Sequence, residues 1–206
     1  MEIEAKYRIA TVTELLRVLA LPTLDAYHLA PAPADEIQTN RYYDSADAAL
    51  ARARHGLRVR QIADQAWITL KGPASVQDGV QQREEWEFPG AHPQPQTWSA
   101  GPARDRALSI LGERHVHPTV EVLTTRRVIV VSRANLPVAE IALDRGEFVA
   151  GERREPFCEL EIELYPDGTL ADIAAIAAAL SQVITLHPEP RSKLSRAIAL
   201  RDKGSI

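Results

Sequence analysis

Charged residues recur at every second position in several short segments of this 206-residue chain, and that spacing is where chemistry would begin. Glu2, Glu4 and Lys6 alternate with Ile3, Ala5 and Tyr7, and Glu159, Glu161 and Glu163 alternate with Leu160, Ile162 and Leu164. Arg58 and Arg60 stand against Leu57, Val59 and Gln61; Arg83, Glu85 and Glu87 stand against Glu84, Trp86 and Phe88. Side chains of an extended strand have period two, so each set shares one face. Any one such strand reads as the wet face of a half-exposed sheet. The combination argues otherwise. Three carboxylates at i, i+2 and i+4 repel unless compensated, and a divalent cation compensates them through oxygen ligands without Cys or His. Arg and Lys on neighbouring strands bring the forked and point-charge donors that grip phosphate.

Elements must position these faces. The first seven residues read as a strand, and Thr11–Glu14 forms a capping-box pattern before a short helix carrying Leu15, Leu16 and Leu19. Gln38 to Asp44 is extended, Ala46 to Arg54 is helix-compatible, and Leu57–Ile62 with Ala66–Lys71 reads as a hairpin. Gln81 to Phe88 alternates, a Pro- and Gly-containing loop runs from Pro89 to Pro102, and a helix follows from Ala103 to Leu111. Val120–Ser132, Val138–Asp144, Glu147–Gly151 and Phe157–Tyr165 are further strands, several separated by hairpin-length turns. A long Ala-rich helix is expected over Leu170–Ile184 and a last one over Ser192–Leu200. Many strands in antiparallel succession with a few helices predict an α+β protein built on a large sheet or barrel.

Composition bounds the rest. The length suits one domain, 1–206, with a substantial core. A net charge of -4 argues against general nucleic-acid binding, which needs a basic excess, so any polyanion is bound locally. One cysteine, Cys158, excludes an intramolecular disulfide framework and suits a reducing cytoplasm, and no apolar stretch predicts a membrane span. The six histidines show no metal-ligand spacing.

In order along the chain stand Glu2-Ile3-Glu4-Ala5-Lys6, Gln38 to Ser45, Leu57 to Arg60, Thr69-Leu70-Lys71-Gly72, Arg83 to Glu87, Arg126, Glu140 to Asp144, Glu159 to Glu163, and Ser192-Lys193 with Arg196. With these segments the sequence resembles the CYTH family of triphosphate tunnel metalloenzymes, the first being its ExExK signature, and among members it looks most like bacterial inorganic triphosphatases. The resemblance implies an eight-stranded antiparallel β-barrel forming a closed tunnel, polar side chains inside and helices packed outside. It implies Mg²⁺ or Mn²⁺ as cofactor and a triphosphate-containing small molecule as ligand, hydrolysed to diphosphate and phosphate. Some such proteins carry a helical CHAD domain after the CYTH domain, and this chain stops before one.

The resemblance also assigns roles. Glu2, Glu4, Asp144, Glu161 and Glu163 match metal-site carboxylates, with Glu159 at the tunnel rim, although a register shifted by two would make Glu159 and Glu161 the pair. Lys6, Arg58, Arg60, Lys71, Arg126, Lys193 and Arg196 match the phosphate-binding lining, and Arg127 is the solvent-facing neighbour of Arg126. Lys6, Arg58, Glu85 and Glu87 are the candidates nearest the chemistry. For Glu85 and Glu87 ion pairing with Arg comes first and water activation second. Asn40, Tyr42 and Tyr43 suit packing and hydrogen bonding. Related tunnels hydrolyse thiamine triphosphate or nucleoside triphosphates, or cyclise ATP. A non-catalytic polyphosphate or nucleotide binder and a partner-binding module, hinted at by an outward Trp86 and the Pro89–Pro102 loop, are the readings outside catalysis. Oligomeric state is not legible.

Overall fold

Alternation along the chain becomes a sheet with a charged concave face and an apolar convex one. The computed structural model describes residues 1–203. Its elements are β1 (Glu2–Arg8), α1 (Val12–Leu19), β2 (Thr23–Leu24), β3 (Tyr27–Pro31), β4 (Glu36–Ser45), α2 (Ala49–Arg52), β5 (Gly56–Ile62), β6 (Gln65–Lys71), β7 (Ser75–Gln77), β8 (Val80–Arg83), β9 (Glu85–Pro89), α3 (Pro102–Leu111), β10 (Val116–Arg133), β11 (Leu136–Ala150), β12 (Arg153–Leu164), α4 (Leu170–Leu180), β13 (His187–Pro188) and α5 (Lys193–Asp202). Every strand pair is antiparallel.

The main path runs β7-β8-β1-β12-β11-β10-β4-β5-β6-β9, so the sheet has ten strands in line and thirteen in all, where eight were expected. Part of the difference lies at Glu84. The segment expected as one strand over Gln81–Phe88 is broken there: β8 pairs with β1 and β9 pairs with β6. Strands at opposite ends of the path are thus a single residue apart in sequence, which requires the sheet to curl strongly.

Convex-face side chains make two cores. Ala5, Ile141, Leu143, Leu160 and Ile162 pack beneath α1 and α4, whose Leu15, Val18, Ile173, Ile176 and Leu180 are buried. Burying one such aliphatic side chain contributes roughly 1.5–3 kcal/mol. Both helices start on the expected kind of capping box, Thr11 with Glu14 and Thr169 with Asp172. Leu57, Val59, Ile68 and Leu70 form the second core with Trp98, Ala107 and Leu111. Trp86 and Phe88 point away from the concave face as expected, but pack against this core, and Phe88 meets Trp98 edge-on at 5.2 Å. The Pro89–Pro102 loop is therefore a lid on a core. A third cluster lies on the concave face, where Tyr42, Val122, Phe148 and Phe157 hold Ala197 and Leu200 of α5.

Three expected boundaries move. The strands foreseen over Val138–Asp144 and Glu147–Gly151 are one strand, β11; Gly146 is no turn there but a close approach, since a Cβ would collide with the Leu123 carbonyl oxygen. The helix expected to reach Ile184 stops at Leu180, ahead of the β-branched run Val183-Ile184-Thr185, which fits a helix poorly. The helix-compatible stretch Ala46–Arg54 yields only α2, whose Leu50 and Ala51 amides donate to the Asp44 carboxylate. No helix is long and apolar enough to cross a membrane among the described residues.

Candidate functional site

Cross-strand register assembles the concave face row by row. Glu4 faces Glu163, which faces Glu140; Lys6 faces Glu161; Glu159 faces Asp144, which faces Arg126. On the other wall Asn40 faces Arg60, Arg58 faces Thr69 and Thr69 faces Glu87, and Lys71 faces Glu85. Apart from Glu159 and Thr69, the residues of these rows line one cavity of about 770 Å³ carrying eight carboxylates and nine Lys or Arg side chains. The charges nearly balance in number, so what matters is which are paired.

One group is fully paired. Asp144, Glu159 and Glu161 have carboxylate oxygens within 4.8 Å of one another, close enough to hold an ion. The Lys193 ammonium already bonds all three, at 2.9, 2.6 and 2.7 Å. Arg126 adds a bidentate contact to Asp144 at 2.8 and 2.7 Å and a bond to Glu161 at 2.6 Å. Arg196 bonds Glu159 from behind, stacked 4.8 Å over the Phe148 ring. Burial opposes every one of these charges, yet Arg126 and Lys193 hold Asp144 below the usual carboxylate range, and Lys193 and Arg126 hold Glu161 well below it. Lys193, despite its burial, is raised by Asp144, Glu159 and Glu161. As the first residue of α5 it sits at a helix end that disfavours cations, and the three carboxylates overcome that.

The neighbouring acidic group is less completely neutralised. Burial, with the charges of Glu2 and Glu140, pushes the Glu163 carboxyl up to about 8. Burial and then the Glu161 charge raise Glu4 above its ordinary value, against a Lys6 ammonium 3.7 Å away. Glu140 accepts only a hydroxyl among the described residues, from Tyr165 at 2.9 Å. Glu2 differs: burial opposes its charge, but Lys71 at 2.9 Å and Arg83 hold it well below the usual range.

The opposite wall carries the converse defect. Arg60 has one polar partner among the described residues, Asn40 Oδ1 at 3.2 Å. Burial, with the charges of Arg58 and Arg126, pulls it down to about 10. Arg58 donates to Thr69 at 3.0 Å and Glu87 at 3.3 Å, and Lys71 pairs with Glu85 at 2.8 Å. Glu85 and Glu87 are thus ion-paired with basic side chains of this wall.

The structure brings Glu2, Glu4, Lys6, Arg58, Arg60, Lys71, Glu85, Glu87, Arg126, Asp144, Glu161, Glu163 and Lys193 to one cavity. It does not bring Glu159 or Arg196 there. Glu159 is no rim residue: it is wholly buried between Lys193 and Arg196 because α5 packs into the curl and covers it. Arg127 lies outside, paired with Asp35 at 2.6 Å.

A CYTH domain profile matches residues 1–198. The chain belongs to the CYTH family. An inorganic triphosphatase of Haemophilus influenzae is 28% identical over 166 residues; these are 80% of this chain, which spans only 46% of that protein. Among solved CYTH-like folds, a Hippeastrum protein described as having a dominant triphosphatase activity superposes with a TM-score of 0.64 at 19% identity, covering 100% of this chain and 97% of the other. A candidate adenylate cyclase of Bacillus halodurans gives 0.65 at 20%, covering 95% and 96%. A mimivirus capping-enzyme triphosphatase gives 0.51 at 10%, covering 89% and 90%. The curled sheet is thus the CYTH fold. Within it, two cavity residues outside the expected set stand out, Arg83 and Glu140. Period two would have found both, since Arg83 shares a parity with Glu85 and Glu87, and Glu140 with Asp144.

Proposed function

We propose that this chain is a divalent-metal-dependent hydrolase of inorganic triphosphate, releasing diphosphate and orthophosphate, and that residues 1–206 are a single CYTH-type domain. One observation carries the reading: a carboxylate group short of positive charge and a guanidinium group short of negative charge line one cavity. A small polyanion bound together with a cation would complete both. The similarity to the Haemophilus triphosphatase supports the same reading. Closure of the sheet into an eight-stranded tunnel belongs to it too, with Val80–Pro89 counted as one strand bridging β1 and β6.

The donor set fits a hard cation, being carboxylate oxygens with spare capacity and no sulfur or imidazole. Glu4 and Glu163 would hold it with Glu2, while Glu161 and Asp144 would join only by giving up bonds to Arg126 and Lys193. Such an ion, Mg²⁺ or Mn²⁺, would supply charge neutralisation and Lewis acidity when bound. The protein's own part is to grip and orient. Arg60, Arg58 and Arg126 offer forked donors to the phosphate oxygens, Lys6 and Lys71 point charges, and Glu85 and Glu87 keep Lys71 and Arg58 aimed. Phosphoryl transfer has a loose transition state, so positioning and charge stabilisation are most of what is needed. A cytoplasmic location accords with the single unpaired cysteine.

The decisive assay is phosphate release from tripolyphosphate, ATP, thiamine triphosphate and diphosphate, each with Mg²⁺, Mn²⁺, Ca²⁺ or chelator. Fastest release from tripolyphosphate, abolished by chelator, is expected. Preference for ATP or thiamine triphosphate would transfer the reading to those substrates; binding without turnover under every metal would overturn the enzyme.

A further inference from the structure

Arg83 and Lys71 occupy the carboxylates that a metal would need. Glu2 is bonded through one oxygen by Lys71 Nζ at 2.9 Å and through the other by Arg83 Nε, and Arg83 Nη2 reaches on to Glu4 at 3.2 Å. All four side chains are largely buried, so neither cation is a casual surface partner. We propose that Arg83 and Lys71 are built-in placeholders for the divalent cation: they hold Glu2 and Glu4 in the metal-free protein and are handed over to phosphate oxygens when metal takes the carboxylates. This rests on the metal-dependent reading of the site.

Two features distinguish them from Lys193, which also sits among carboxylates and lines the same cavity. Lys193 spends its three donors on three carboxylates and has Arg126 and Arg196 beside it to complete the neutralisation. Arg83 and Lys71 instead share too few positive charges among too many carboxylates, leaving Glu163 in the same row without an ion pair among the described residues. Both stand at strand ends, Lys71 closing β6 and Arg83 closing β8 at the Glu84 break, where a long side chain can swing without disturbing the ladder. Both also line the cavity shared with Arg58 and Arg60. Two ligands that each release what the other needs must strengthen one another's binding.

The test uses two separate titrations of the whole chain, so that metal and phosphate never meet in solution: Mn²⁺ alone, and tripolyphosphate in excess EDTA. Arg83→Met removes a placeholder. It should tighten Mn²⁺ binding and weaken tripolyphosphate binding, each by about ten-fold or more, the range of a charged hydrogen bond. Glu2→Gln takes from both cations the partner they share, leaving Lys71 on Glu85 and Arg83 on Glu4, and should do the reverse on both axes. Lys71→Met, on a different strand, should repeat the Arg83→Met pattern. A variant that melts without metal and is restored by Mn²⁺ also supports the handover. If Arg83→Met and Lys71→Met loosen both ligands together, or leave Mn²⁺ affinity unchanged, their role is structural and the placeholder inference falls. A wild-type protein that binds no Mn²⁺ and turns over no triphosphate would instead remove the metal-dependent reading itself.

Discussion

Two carboxylate groups built of the same residue types lie side by side on the curled sheet and share β12, yet their states are opposite. Asp144, Glu159 and Glu161 are saturated by Lys193, Arg126 and Arg196. Glu4 and Glu163, one row further along, are left with raised carboxyls. The difference comes from α5, which delivers Lys193 and Arg196 to one group and does not reach the other. A buried carboxylate that is paired is part of the architecture, whereas one left short of charge marks a place where an outside cation lowers the free energy. Closeness of acidic oxygens therefore does not by itself distinguish the two groups; the balance of charge around them does.

The largest expected effect tests the saturated side. Glu159→Gln leaves Lys193 and Arg196 buried beside a neutral amide, and loss of one partner of a buried pair costs about 3–5 kcal/mol. Denaturant unfolding should show that loss, and a change under 1 kcal/mol would erase the contrast between the groups. Glu4→Gln does the converse. Metal-dependent phosphate release should fall by about a hundred-fold or more, the scale of removing one preorganised charge contact, while the metal-free melting temperature holds or rises because repulsion with Glu161 and Glu163 is relieved. An unchanged rate would end its assignment as a ligand.

Arg60→Met sharpens the picture from the other wall. The KM for tripolyphosphate should rise roughly ten-fold or more, since a charge-assisted contact contributes about 1.5–3 kcal/mol, with no loss of stability because Arg60 makes only one neutral hydrogen bond among the described residues. The smallest effect is a control outside both groups. Burial opposes the Asp172 charge, but hydrogen bonds from Thr169, Tyr27 and Arg133 outweigh it and hold the carboxyl at about 2, below its ordinary 3.8. A depressed folded-state value means stability present above the unfolded value and lost as pH falls through the folded one. Asp172→Asn should thus melt below wild type at pH 7, and the gap should close as pH falls from about 4 to 2. A gap independent of pH would show that the carboxylate charge contributes nothing there.

Much of this was legible from period-two spacing. Glu2, Glu4 and Lys6 fall on one face and Ala5 on the core side; Leu160 and Ile162 oppose Glu161 and Glu163; Arg58 and Arg60 oppose Leu57 and Val59, all as the alternation requires. The Thr11–Glu14 capping box lies where the residues predict. Boundaries were less legible where a tertiary contact sets them: Gly146 reads as a turn until the Leu123 carbonyl is seen against it, and Glu84 looks like any alternating residue until β8 and β9 take different partners.

By itself, then, the sequence determined which residues are extended and which side chains share a face, because strand parity is a property of local backbone geometry. It could not determine which charges neutralise which. Glu159, Glu161 and Glu163 are equivalent by spacing, and Lys193 is more than thirty residues away in the chain from Glu159. Only the curl of the sheet and the docking of α5 into it placed two cations on the first of these carboxylates and, among the described residues, none on the third. Coulomb energy in a buried cavity depends on distance through space, and the fold alone sets that distance.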